Sequence, residues 1–390
     1  MKCVDELLLR GVRIPAPGAV EIGEGVDPGR IAPGVMIHAG CKIYGAETSI
    51  GPGCVLGREA PVTVEDCQLG AGVRLRGGYF SGAVFLDGAV VGCGAHVRPG
   101  TILEEGAEMA HTVGLKQTIF FPFVVGGSLI NFCDALMAGG RNRMEHSEIG
   151  SSFIHFNYTP HGDKATASLI GDVPRGVMLD QPPIFLGGQA GIVGPVRMEY
   201  GTVLAAGHVL RRDALEANHL IVPPMPRAGV FPFTSGGRSV ARVLRNGGIY
   251  IGNLAALEVW YALVRRPVLE RDAYGGACVR GALRQLKGAR EERLKRLDDV
   301  VARILALGTK EVSEALRAQQ DAEVADWPAR RERLAAAGDV ECAEKEEFLE
   351  AWLAAPEGGY VTRIQGLSPE VKAAGTAWLQ KIVDAAVATV

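Results

Sequence analysis

The sequence predicts a mainly β solenoid plus α: a left-handed parallel β-helix of hexapeptide repeats followed by a C-terminal helical region. Three observations predict it. Val91, Val97, Leu103, Met109 and Leu115 recur every six residues, as do Ile31, Ile37 and Ile43 earlier and Ile192, Met198, Leu204 and Leu210 later. An amphipathic helix repeats near 3.6 residues and a plain strand near 2, so neither explains a period of six. A chain that turns a corner every six residues does, because one aliphatic residue per side then points inward. Second, Gly or small residues follow the aliphatic positions, where a tight corner needs them. Third, the hexad vanishes near residue 253 and Ala, Leu, Glu and Arg take over.

Residues 1–30 read as a lead-in, with Leu7, Leu8 and Leu9 packed on the first coil. The solenoid spans 31–213, with coils visible in IAPGVM, IHAGCK, IGPGCV, LGAGVR, VGCGAH, VRPGTI and LEEGAE. The repeat is interrupted at GGYFSGAVFLDGA, QTIFFPFVVGG, LMAGGRNRMEHSE and VPRGVMLDQPPI. Such breaks are either loops thrown off one edge or drift in coil length. The Pro- and Gly-rich stretch 214–252 is a connector wrapping the end of the solenoid. Residues 253–390 form the helical region. Leu283, Leu286, Leu294, Leu297, Val301 and Ile304 mark one helix face, with Arg290, Glu291, Glu292 and Arg293 opposite. EEFLEAWLAA and the segment 368–390 are further helices, the latter opened by Ser368 and Pro369. This region reads as a cap or oligomerisation element.

Bulk properties exclude several classes. A formal charge of −3 argues against a nucleic-acid partner. The hydrophobic share of 47% is ample for a core, and no stretch approaches the length of an apolar membrane span. The N-terminus lacks a signal-peptide pattern. The eight cysteines form no CxxC pair, so they read as reduced, buried thiols in a cytoplasmic protein.

Three stretches between Val91 and Gly229 carry a family resemblance. VRPGTILEEGAEMAHTVGLK runs from an RPG turn to a lysine. IGSSFIHFNY has SLIGD behind it. IVGPVRMEYGTVLAAGHVLRRD is followed by IVPPMPRAG. Together they resemble the C-terminal left-handed β-helix acetyltransferase domain of the bifunctional N-acetylglucosamine-1-phosphate uridyltransferase/glucosamine-1-phosphate acetyltransferase family, whose middle stretch reads IGAGTITCNY. No Gly-rich nucleotide-binding loop with a basic signature appears, so the sequence does not support uridyl transfer.

The resemblance implies roles at matching positions. Arg98 in the RPG turn and Lys116 would hold a sugar phosphate, which suits a charged fork and a point charge. Asn157 and Tyr158 match a pair that contacts the amino sugar and the cofactor. Lys164 falls one residue out of step with the family's next lysine. Ala205 and Ala206 match small residues lining a coenzyme A groove. The donor implied is acetyl-CoA or another acyl-CoA, and the assembly implied is a homotrimer.

The family's catalytic histidine has no counterpart. Counting from Ser128 puts Phe132 at its position and Ala135 at that of a following tyrosine. Counting back from Ile149 puts Asp134 and Met137 there. The base, which takes a proton from the amine as it attacks the thioester, is unassigned, with His155 and Asp134 as candidates and His146 and His161 nearby. A zinc site built on His155 and His161, with His111 or His146 as a distant third ligand, is permitted by spacing. No metal is expected. The reading is thus an acyltransferase-like protein for a phosphorylated or nucleotide-linked amino sugar. The alternatives are a non-catalytic binding module that lost the histidine, or a structural assembly protein.

Overall fold

A computed structural model describes residues 2–158, 164–224, 228–230, 239–306 and 313–388. The aliphatic hexads stack into three parallel ladders, the faces of a prism. On face one, Ile22, Ile43, Val64, Phe80, Val97, Leu115 and Phe132 pair in succession, and His155, Ile192 and Leu210 continue the inward row. On face two the row is Ile31, Ile50, Leu69, Phe85, Leu103, Phe120, Met137, Ile170 and Met198. Face three is a ten-stranded sheet, with Ile37, Leu56, Leu75, Val91, Met109, Gly126, Ile149, Leu186, Leu204 and Ile221 inward. Val91, Val97 and Leu103 therefore enter one core from three successive sides. The predicted fold class holds: a parallel β-solenoid followed by helices.

The four irregular stretches divide into both expected kinds. GGYFSGAVFLDGA and QTIFFPFVVGG stay in the ladders with shortened coils, since Phe80 and Phe85, like Leu115 and Phe120, occupy successive inward positions. LMAGGRNRMEHSE and VPRGVMLDQPPI leave the prism between faces two and three, the second as a short helix Val173–Gly176. Pairing also reaches beyond 31–213: Arg13 bridges to Met36, Glu21–Ile22 pairs with Lys42–Ile43, and Leu220–Ile221 pairs with Val203–Leu204. Two-residue strands without a full hexad conceal these ends from a period-based reading.

The helical region lies along face two. A helix begins at Ala241 and runs to Trp260, earlier than residue 253. Its glycines disguise it, and they have a packing reason. A side chain at Gly247 would meet Leu297 at 2.8 Å, and one at Gly252 would meet Ala386 at 3.2 Å. Asn246 donates to Asp213 Oδ1, Asn253 Oδ1 accepts from Val173 N, and Tyr261 and Arg265 reach Glu104. The chain therefore travels back along the prism from its last coils toward its middle. Helix Ala273–Ala306 then returns. Gly281 abuts Gln68 and Val84, Gln285 accepts from Gly100 N, and Arg293 pairs with Asp134. The twelve residues from 281 to 293 rise about 18 Å. The four rungs from Gln68 to Asp134 rise about 19 Å, so the helix axis follows the solenoid axis. The predicted apolar stripe is buried at Leu286, Leu294, Leu297, Val301 and Ile304. Arg293, expected on the solvent side, is buried instead. Ser368 caps the last helix, Pro369–Val387, by accepting from Val371 N.

The stretch 241–269 is long and apolar enough to cross a membrane, an 18-residue window of it having mean hydropathy 1.2, but 72% of that window is buried in the protein. It is the core helix of the second layer.

Candidate functional site

With face two covered, the outer surface of face one carries the polar groups of interest. Residues alternate along each strand, so those flanking an inward residue point out. Two outer rows result. The trailing row contains Lys116 paired with Cys133 and, further on, Phe156 paired with Val193. Arg98 belongs to it: its backbone N–H donates to Leu115 O, and its Nη2 lies 3.8 Å from Cys133 Sγ. Arg98 and Lys116, eighteen residues apart, thus come together over one thiol. The Cys133 S–H donates to Asn131 Oδ1 at 3.4 Å. Burial pushes this thiol up and Asp134 adds to the effect, while Arg98 and Lys116 oppose it.

The leading row runs Tyr79, His96, Gly114, Asn131, Ile154 and Gly191. Gly114 has no side chain, so a gap opens between His96 and Asn131, two rungs or about 10 Å apart. His96, Arg98, Thr112, Gly114, Leu129 and Asn131 line an open cleft of about 360 Å³ there. Sequence reading passed over His96 and Asn131. The signal was present in VGCGAHVRPG, where His96 sits two residues before Arg98 and so on the same side of a strand.

Asp134 and His155 are placed differently. Asp134 stands at the corner between faces one and two with φ 57. Its carboxylate lies 3.0 Å from Arg293, both side chains nearly buried. Burial pushes Asp134 up, against the pull of Arg293 and Lys116. His155 occupies an inward hexad position. It is 2% exposed, packs on Phe132 and has Nε2 2.8 Å from Ser168 Oγ. Burial lowers its pKa to about 4. His155 is therefore a neutral core imidazole, directed away from the face where the cations stand. Phe132 is likewise inward and buried.

Asn157 and Tyr158 follow Phe156 directly, one rung past Cys133; Asn157 is half-buried and Tyr158 exposed. Lys164 is exposed on the far limb of that insertion. His161 lies outside the described residues. Ala205 and Ala206 sit on the opposite corner, where faces three and one meet, with Ala205 N donating to Ile221 O. They share that corner with Gly127, Gly150 and Gly187, and a side chain at Gly187 would meet Ala206 N at 2.4 Å. A cleft of about 760 Å³ begins just after them and includes Arg211, Arg212, Leu215 and His219. It lies about 24 Å, five rungs, from Arg98. His146 is on the loop between faces two and three, its Nδ1 2.9 Å from Arg143 O, and His111 contacts Thr112 Oγ1. Among the described residues no cluster of three potential metal ligands occurs.

A parallel solenoid of hexapeptide repeats with paired cations on an open face defines the class of fold and surface. No protein-family model matches the chain. Curated relatives do. It is 30% identical over 227 residues to the bifunctional protein GlmU of Pelobacter propionicus, covering 57% of this chain and 43% of that protein. It is 30% identical over 206 residues to GlmU of Kineococcus radiotolerans (53% and 37%). With GlmU of Thermotoga petrophila it shares 28% over 214 residues (55% and 42%). The chain spans less than half the length of these relatives. The resemblance drawn from three motifs thus stands on similarity over about half of the chain and on the solenoid itself.

Proposed function

We propose that this protein transfers an acyl group from an acyl-CoA, acetyl-CoA in the simplest case, to the amine of a phosphorylated or nucleotide-linked amino sugar. Arg98 and Lys116 hold the phosphate, Asn157, Tyr158 and Lys164 orient the sugar, and the small residues Ala205 and Ala206 border the donor's groove. The observation that carries this reading is the convergence of Arg98 and Lys116 above Cys133, beside a cleft on face one. An anion needs such a pair of charge-assisted donors. The working form is a cytoplasmic homotrimer with a small-molecule ligand.

A second reading is a nucleotide-sugar-binding module without chemistry. It is favoured by the inward, apolar Phe132 at the position of the family's histidine. Free thiol release from acetyl-CoA with glucosamine 1-phosphate decides between them. Turnover supports transfer. No turnover, with UDP-N-acetylglucosamine raising the melting temperature, supports the module. No response to any sugar phosphate or CoA leaves a structural assembly protein. Under the first two readings Lys116→Ala weakens ligand binding at least tenfold, the loss expected for a charged hydrogen bond of about 1.5–3 kcal/mol.

A further inference from the structure

We propose that His96 is the proton acceptor on face one, taking a proton from an amine held beside Arg98 and Lys116. This assignment deepens the acyl-transfer reading and rests on it. The cleft over Gly114 is lined by His96, Arg98, Thr112, Gly114, Leu129, Ile130 and Asn131. Of these groups only the imidazole can take up a proton. Guanidinium is already charged, and an amide or a hydroxyl is too weak a base. Imidazole is also the usual side chain for this task near neutral pH.

The ring is placed for it. His96 projects outward from strand Ala95–Val97, whose other two residues are buried. On the preceding rung the Tyr79 ring packs against it, centroids 5.2 Å apart. The Tyr79 hydroxyl is itself fixed by donating to Glu65 Oε2 at 2.8 Å. On the following rung Gly114 offers no side chain, so that side of the imidazole is open. The His96 imidazole has no hydrogen-bond or ion-pair partner among the described residues, while its backbone N–H donates to Val113 O. One flank is steadied, the other is free, and Asn131 closes the gap one rung on. The two buried candidates lack this access: His155 lies inside the core, and Asp134 is tied to Arg293.

The step balances without a further reactant. The amine nitrogen attacks the thioester carbonyl carbon, and an N–C bond forms. The N–H proton passes to His96. The C–S bond breaks, and the leaving thiolate takes that proton from the imidazolium as free thiol. Around His96 the titratable and charged groups are Glu65 and Tyr79 on the rungs before it and Arg98 on its own strand. Lys116 and Cys133 stand on the rungs after it, and Cys93 and His111 on the turns leading into these strands.

The test compares wild type with His96→Gln and His96→Ala, using acetyl-CoA and glucosamine 1-phosphate and reading thiol release. The expected result is a fall in kcat of about 100-fold or more, with KM for the sugar phosphate within threefold. The melting-temperature rise with UDP-N-acetylglucosamine is retained, which shows that the variants fold and bind. Added imidazole restores part of the rate to His96→Ala. A His96→Gln rate within threefold of an active wild type overturns the assignment while leaving acyl transfer standing. A wild type that turns over no amino-sugar phosphate overturns the transfer reading, and this one with it.

Discussion

His155 shows how one position in the hexad fixes chemistry. The inward row places an imidazole where Ile192 and Leu210 stand on the next rungs. Burial then lowers its pKa to about 4 from an ordinary 6.5. The unfolded chain binds the proton more readily, so this stability is fully present above pH 6.5 and is lost as the pH falls toward 4. The expected size is about 3 kcal/mol. His155→Leu keeps the apolar row, and Ser168 Oγ retains Val196 N as a donor. Urea denaturation from pH 7 to pH 4 should show a shallower loss in the variant than in wild type; equal slopes would remove the histidine from the acid branch. In sequence His155 stood out only as a histidine two residues before Asn157. Its inward direction follows from the hexad once the register is anchored at the inward Ile149, six residues earlier. Arg98 and Lys116 were legible because an RPG turn and a lysine kept the family's spacing. His96 was not, since no motif marks it and its value lies in the glycine one rung away.

Contact between the solenoid and its helical layer depends on a few closely packed positions. Gly281 is one. A Cβ there would lie 2.0 Å from Gln68 Oε1 and 3.0 Å from Val84 Cγ2. Gln68 cannot swing aside freely, because its Nε2 donates to Glu47 O and Asp66 O. Gly281→Val should therefore destabilise by about 1–3 kcal/mol through overpacking. Gly288, with open space around its Cβ position, is the control: Gly288→Ala should stabilise by roughly 0.5–1 kcal/mol. Chemical denaturation of both variants checks the contrast, and equal effects would mean the helix does not seat at Gly281. The same layer buries Arg265 between Glu104 and Glu105, each 2.5 Å away, under the Tyr360 ring. Helical pattern made the long helix legible from residue 283 onward. The helix from Ala241 was hidden by Gly247, Gly248 and Gly252, which lower helix propensity yet let its neighbours approach.

At the scale of the whole molecule, the helices occupy face two and, among the described residues, leave faces one and three open. Exposed apolar residues lie on both: Leu129, Ile154, Phe156 and Tyr158 belong to face one and the insertion leaving it, and Phe185, Val203 and Leu220 to face three. The proposed trimer would use such surface, because apolar area left in water is what association buries. Sedimentation or native mass spectrometry should give three times the chain mass at micromolar concentration. A monomer would require the site to be complete within one chain.

The six-residue period by itself determined the prism, since a corner every six residues leaves only one inward aliphatic per side. Composition alone marked the change to helices. Only the tertiary structure decided which polar residues share a surface, because shortened coils and inserted loops shift the hexad phase. A residue's direction then follows from rung pairing rather than from counting. That pairing turned His155 into the core, tied Asp134 to a helix 159 residues away, and set His96 beside Arg98 over the gap at Gly114.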